Sequence, residues 1–480
     1  MGKIGIFISA ILSAFLANFA VADNVKVSDF GAVGDGNFVN TKQIQDAIDK
    51  CSATGGGEVL FDKLGTYRTQ SIFLKDNVML NLPRGVVLKG HKSGEYNVAL
   101  IRGENASNIG ITGLGTIDGS GGEFEIGDEA PNRPRLILLK KCKNVLVEGV
   151  RLTRPAYWTF YLLQCNNVKI NKLNIYAHAN YNNDGIDIES KNVVISDCVI
   201  DTFDDAIVLK TLNADSTVEN VTITNCLISS CASSVKTGTE TLGNFKNITI
   251  SNCIIKKCAE RSIVYESRKH WPKTFGVSEG INGGCGINIS SVDGAVIENV
   301  TISNLVVMDM HVPLCIRVGH RNRGVKGDPK SAIRNVKISG IIAKAESWIS
   351  NSITATPGHI LENIYISDFM LEAKGGAPLE KLQNEQTRAV KDPEKGFPGP
   401  RVFGCILPSS AFYVRNANNI TFNNVCIGYW NGGDIRSPFV ADNVSNLRIM
   451  NSTYKNAGFK EFVTLKDCKD SVFFNNSLLK

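Results

Sequence analysis

One nine-residue phrase returns along most of the chain. Asn192-Val-Val-Ile-Ser-Asp-Cys-Val-Ile recurs as Asn220-Val-Thr-Ile-Thr-Asn-Cys-Leu-Ile, Asn247-Ile-Thr-Ile-Ser-Asn-Cys-Ile-Ile and Asn299-Val-Thr-Ile-Ser-Asn-Leu-Val-Val. Weaker copies start at Asn144, Asn167, Asn335, Asn363, Asn419 and Asn446. The unit is 23 to 28 residues, with one step of 36 and double steps of 52 and 56. Self-similarity at such a period is the signature of a solenoid, in which each unit buries its apolar face only against its neighbours. Within a unit, β-branched residues alternate with polar ones, then a turn-forming Asn, Asp or Ser precedes another short apolar pair, which reads as strand, turn, strand. No amphipathic helix separates most copies, and the unit is too short for a propeller blade of about 40 residues. An all-β, right-handed, single-stranded parallel β-helix is the natural solution.

That architecture suits a chain too long for one compact core and without a clear linker. A cylinder of coils needs a cover for its apolar end. Residues 41–51 supply one, with Ile44, Ala47, Ile48 and Cys51 on one helical face and Thr41 placed as its cap. Residues 23–75 therefore read as an N-terminal cap continuous with the solenoid of residues 76–480. The recurring Asn is expected to form an internal ladder, its amide linking coil to coil and satisfying backbone groups at the bend. Three segments break the period and read as loops: 266–286, 320–330 and 372–401. The first, with Arg268, Lys269, His270, Trp271 and Lys273, suits an acidic sugar, whereas the third reads as a solvated surface loop.

The chain opens with Lys3, an apolar run over residues 4–20 and Ala20-Val21-Ala22, the pattern of a cleaved secretory signal over residues 1–22. The run falls short of the roughly 20 apolar residues that span a bilayer, so export to the periplasm or medium is expected and a membrane partner is not. Thirteen cysteines would suggest a disulfide framework. Yet Cys198, Cys226 and Cys253 hold one place in successive repeats, where a column of small buried side chains is needed. Mostly free thiols are expected, with one or two bridges. The net charge of +6 is scattered rather than gathered, which admits an anionic partner and gives no sign of nucleic acid.

Asn182-Asn183-Asp184-Gly185-Ile186-Asp187 and Asp204-Asp205-Ala206-Ile207 lie about one repeat apart. Taken singly, the first is a turn, and an Asp pair in a strand protein is a solvated bend or a calcium site. Stacked by the repeat, Asp184, Asp204 and Asp205 meet on one surface, with Lys210 and Lys236 in comparable places on later coils. Hydrolysis of a glycosidic bond needs one carboxylic acid and one carboxylate, and crowded carboxylates hold back a proton.

These segments, with Gly115-Thr-Ile-Asp118-Gly and Pro155-Ala-Tyr-Trp158, resemble glycoside hydrolase family 28, the polygalacturonases and rhamnogalacturonan hydrolases. The resemblance runs from Val25 to His320. It implies inverting hydrolysis of α-galacturonosidic bonds in pectin, in homogalacturonan or the rhamnogalacturonan backbone, without cofactor or metal. It implies Asp204 as general acid, Asp184 and Asp205 sharing the water as base, and Asn182 holding a carboxylate or the sugar. Where the family has Gly-His-Gly this chain has Ala232-Ser233-Ser234, and where it has Arg-x-Lys this chain has Val264-Tyr265-Glu266. Lys236 to Glu240, Ser291-Val-Asp293-Gly and Arg317 look like a bacterial branch of pectin-backbone enzymes. The expected substrate contacts are therefore Asn182, Lys210, Lys236, Glu240, Arg261, Arg268 and Arg317.

The expected partner is an acidic plant cell-wall polysaccharide or oligosaccharide met by a monomer. Two other readings fit the same cylinder: a calcium-dependent lyase cleaving by β-elimination, and a polysaccharide-binding β-helix without catalysis.

Overall fold

Strands in this chain pair in parallel with the strand one coil on. Phe160 registers with Ile186, Ile186 with Ile207, Ile207 with Val235 and Val235 with Ile287. The computed structural model describes residues 24–479 except 93–97, 129, 259–274, 278–282, 326, 379–389 and 456–457. It is a parallel β-helix, one continuous sheet wound into a cylinder. The expected signal over residues 1–22 lies outside the described residues. No described helix is long and apolar enough to cross a membrane.

Period-two alternation decides which side chains enter the cylinder. Val193 and Ile195 register with Val221 and Ile223, these with Ile248 and Ile250, and these with Val300 and Ile302, all buried. Each such side chain contributes about 1.5–3 kcal/mol on leaving water, so the core is a set of apolar columns running the length of the molecule. Cys198, Cys226 and Cys253 occupy one column as free thiols. Cys231 and Cys258 form a disulfide, and the remaining eleven cysteines are free.

The asparagine ladder exists, but outside the cylinder rather than within it. Asn220 Nδ2 donates to Asn192 Oδ1 at 2.8 Å, Asn247 to Asn220 at 3.0 Å and Asn299 to Asn247 at 3.2 Å, all at exposed positions. The backbone explains the choice of residue. These positions have φ of 55° to 59°, a left-handed turn that Asn tolerates better than other side chains with a Cβ. The ladder lies on the convex side of that turn because the inward places are taken by Val, Ile and Leu.

The helix Thr41–Ala53 covers the first coil with Ile44, Ala47, Ile48 and Cys51 buried beneath it. Its cap differs from expectation. Asn40, not Thr41, stands at the N-cap, and makes no side-chain cap bond. Its amide bridges Val33, accepting from the backbone nitrogen at 2.7 Å and donating to the oxygen at 3.0 Å. Thr41 Oγ1 instead accepts from the Gln70 nitrogen at 2.8 Å, tying the helix to the sheet. Gly56, at φ 103°, leads the chain from the helix into the next strand, where a Cβ would lie 2.3 Å from Asn77. The strand Gly57–Leu60 pairs in parallel with Val78–Leu82, so the cap joins the solenoid without a break.

Candidate active site

The register of the sheet brings the acidic segments together. Ile137 pairs with Phe160, Phe160 with Ile186, Ile186 with Ile207 and Ile207 with Val235. Two residues earlier on each coil, Arg135, Trp158, Asp184, Asp205 and Ser233 follow one another in a single column, at the spacing of neighbouring strands, about 4.8 Å per step. Backbone bonds fix it: the Thr159 nitrogen donates to the Asp184 oxygen and the Gly185 nitrogen to the Asp205 oxygen, both at 2.9 Å. Gly185 is required there, because a Cβ would lie 2.4 Å from the Ala206 oxygen.

Each acidic turn is held by polar groups. Buried Asn183 accepts from the Ala179 and Asn180 nitrogens at 2.8 and 2.7 Å and donates to the Pro155 and Tyr157 oxygens at 3.1 and 3.0 Å. Thr202 and Ser230 hydroxyls donate to the Asp204 carbonyl at 2.6 and 2.7 Å. Asn182 accepts from Arg133 at 2.8 Å and donates to Asp128 at 2.9 Å.

Two buried lysines set the electrostatics. Lys236 Nζ lies 2.7 Å from Asp205 Oδ2, and the Ser233 nitrogen donates to Asp205 Oδ1 at 2.9 Å. Lys210 Nζ lies 2.6 Å from Asp187 Oδ1, 3.4 Å from Asp184 Oδ2 and 3.8 Å from the centre of the Trp158 ring. Burial opposes the charge on each lysine, but the facing carboxylates outweigh it and hold both ammonium groups above the ordinary lysine range. Burial pushes Asp184 well above the usual carboxylate range, with Asp187 adding to it, Lys210 opposing, and Asp204 and Asp205 adding further. Asp187 is raised by burial against the pull of Lys210. Four carboxyls facing two ammonium groups cannot all ionise cheaply, and Asp184 carries most of that conflict.

The cluster opens into a cavity of about 1030 Å³. Asp184, Asp204, Asp205, Asn182, Lys210, Lys236 and Glu240 all line it, so the structure gathers these seven expected residues at one place. Arg317 does not belong there. It is 1% exposed, and its guanidinium spans both oxygens of Asp392, at 3.1 and 2.5 Å, so a structural ion pair replaces the expected uronate contact. Arg261 and Arg268 lie outside the described residues, as does most of segment 266–286. The segment 372–401 corrects a second expectation, since Phe397, Gly399, Pro400 and Arg401 form one wall of the cavity rather than a solvated loop. Segment 320–330 adds Arg321, whose guanidinium is gripped by Asp293 at 3.0 and 2.5 Å, and exposed Arg323.

Arg135, Trp158, Asp187 and Arg321 were not singled out as site residues from the sequence. For Trp158 the motif Pro155-Ala-Tyr-Trp158 was a signal, and for Asp187 its place two residues beyond Gly185 in an otherwise apolar strand. Arg321 and Phe397 come from loops whose path no periodicity describes.

The family model described as Glycosyl hydrolases family 28 matches residues 63–214, which hold all three aspartates. A "Probable polygalacturonase" from Vitis vinifera is 32% identical over 219 residues, covering 39% of this chain and 44% of that protein. An "Exo-poly-alpha-D-galacturonosidase" from Dickeya chrysanthemi is 27% identical over 257 residues, covering 39% and 42%. The chain thus spans less than half the length of these curated relatives. The crystal structure of an exopolygalacturonase from Thermotoga maritima superimposes with a TM-score of 0.61 at 22% identity, covering 73% of this chain and 87% of that one, a likeness of fold. The matched profile lies across the column that stacks Asp184 on Asp205, so the likeness to family 28 of the glycosyl hydrolases includes the candidate site.

Proposed function

We propose that the protein is a glycoside hydrolase that cleaves α-linked galacturonic acid bonds in pectin, in homogalacturonan or the rhamnogalacturonan backbone, with inversion at the anomeric carbon. The observation that carries this reading is the register: Asp184 and Asp205 are stacked one coil apart, with Asp204 beside them, at the floor of an open cavity. Asp205, paired with Lys236 and accepting from the Ser233 N–H, is suited to orient a water. Asp184, one coil from Asp205 in the same column, shares that water and, in its ionised form, takes the proton the water sheds. Asp204 is the least buried of the three and is suited to deliver a proton to the leaving oxygen. The C–O bond to the leaving sugar breaks as the water oxygen bonds to the anomeric carbon from the opposite face. The likeness to polygalacturonases and the lysine and arginine side chains lining the cavity support a uronate substrate. The apolar run over residues 4–20 supports export, and the scattered positive charge suits an acidic polysaccharide.

The test is incubation with galacturonan and rhamnogalacturonan, with the anomeric form of fresh products read by NMR. Release of β-anomers from α-linkages is expected, and Asp204→Asn is expected to lower kcat at least about 10³-fold while binding persists. Products absorbing in the ultraviolet through an unsaturated bond would replace hydrolysis with elimination. Binding without sugar release, unchanged in Asp204→Asn, would leave a non-catalytic polysaccharide binder.

A further inference from the structure

Three of the cations that line the cavity face a carboxylate of the protein itself. Lys210 faces Asp187 and Asp184, Lys236 faces Asp205, and Arg321 is gripped by Asp293. Arg135 differs. No carboxylate of the described residues lies within ion-pair distance of it, yet it lines the cavity and its Nε is buried without a hydrogen-bond partner. Its guanidinium carbon lies 4.7 Å from the centre of the Trp158 ring, 5.3 Å from Tyr157 and 5.4 Å from Tyr161. The register puts it in the same column as the aspartates, two coils before Asp184, which is about 10 Å along the cylinder.

We infer that Arg135 is a specificity-determining residue that receives the carboxylate of a uronate one sugar or so from the bond being cleaved, on the N-terminal side of the aspartates. The inference rests on the proposed uronan substrate and adds which residue reads its charge. A buried guanidinium N–H without an acceptor is costly, and a planar carboxylate is the group that satisfies a guanidinium through two bonds at once. The aromatic faces beneath Arg135 hold its side chain in place, so little order is lost on binding. The lysines at the aspartates cannot serve this purpose without giving up the contacts that set the charge of the catalytic cluster. Arg135 acts on Asp187 only at a distance and has no ion pair there to give up.

The experiment compares an oligogalacturonate with its fully methyl-esterified form, binding each at equilibrium to the Asp204→Asn protein, in which turnover is blocked. The acid is expected to bind at least about ten-fold more tightly than the ester, and adding Arg135→Gln to bring that ratio near one while ester affinity stays the same. Arg135→Lys, which keeps the charge and loses the planar fork, is expected to retain part of the preference, and serves where the Gln variant does not fold. Equal affinity for acid and ester before substitution, a preference that survives in Arg135→Gln, or failure of the Asp204→Asn protein to bind either oligomer would each overturn the inference. The hydrolase reading fails separately: if the unsubstituted protein releases no sugar and the Arg135-dependent preference is still measured, the assignment of Arg135 stands and the reaction does not.

Discussion

Asp184 is where folding and chemistry conflict most directly. Its carboxyl is raised because it is buried beside Asp187, and Lys210 only partly offsets this. The folded protein therefore keeps a proton there at pH values where the unfolded chain has released it, and stability must fall as pH rises from the ordinary aspartate range through the raised folded value. Asp184→Asn removes that slope. It is expected to raise stability at neutral pH and to flatten the fall of Tm as pH rises above the ordinary aspartate range, while abolishing turnover. A Tm at pH 7 below that of the unsubstituted protein would contradict the charge balance described above. Lys210→Met tests the same balance from the other side. It strands Asp187 without its 2.6 Å counterion and should cost about 3–5 kcal/mol in denaturant unfolding. These residues were unequally legible in the sequence. Asp184, Asp204 and Asp205 announced themselves because turn-forming neighbours and one repeat of separation predict stacking. Arg317 misled because a strand context says that a cation is held, not what holds it, and its partner Asp392 arrives from 75 residues away.

The asparagine turns show what the repeat could and could not tell. Their spacing gave the coil length directly, and their Asn-x-Thr triplets at Asn220, Asn247 and Asn299 also look like glycosylation acceptors. The structure uses those amides to link neighbouring coils, each both donating and accepting, so a sugar on Asn220 Nδ2 would crowd the donor that ties it to Asn192. That the ladder runs outside the cylinder was not legible, because alternation identifies two faces of a strand but a bend belongs to neither. Asn220 sits at φ 57°, where Ala is strained and Gly is not. Asn220→Ala should therefore lose about 2 kcal/mol, from backbone strain together with two exposed amide bonds, and Asn220→Gly only about 1 kcal/mol. This reverses the usual order of Ala and Gly within regular structure. Urea unfolding of the two variants reads the order, and Ala proving the milder change would mean that the turn relaxes out of the left-handed region.

Along the cylinder the strands of each coil pair only with those of the coil before and the coil after, so the sheet behaves as a linear stack whose ends are its weak points. The cap helix was legible because its apolar residues recur at helical spacing where the rest of the chain alternates. The cavity wall was not, because Phe397, Gly399, Pro400 and Arg401 reach the cavity by tertiary packing that no local pattern encodes. The same linearity makes a distinct forecast for Ile48, fully buried between the helix and the first coil. Ile48→Asp places a charge in that joint, which costs several kcal/mol at the joint itself. In a globular core a penalty of that size would lower the stability of every element together. Here it should be confined. Hydrogen exchange is expected to show strands Gly57–Leu60 and Val78–Leu82 losing protection, while Ile186–Ser196 and Ile207–Thr211 keep theirs. Turnover at low temperature should persist, because the aspartates lie several coils away from the opened end. Loss of protection spread evenly over all these strands would show that the coils unfold as one unit, and that the cap governs the site as well as the end it covers.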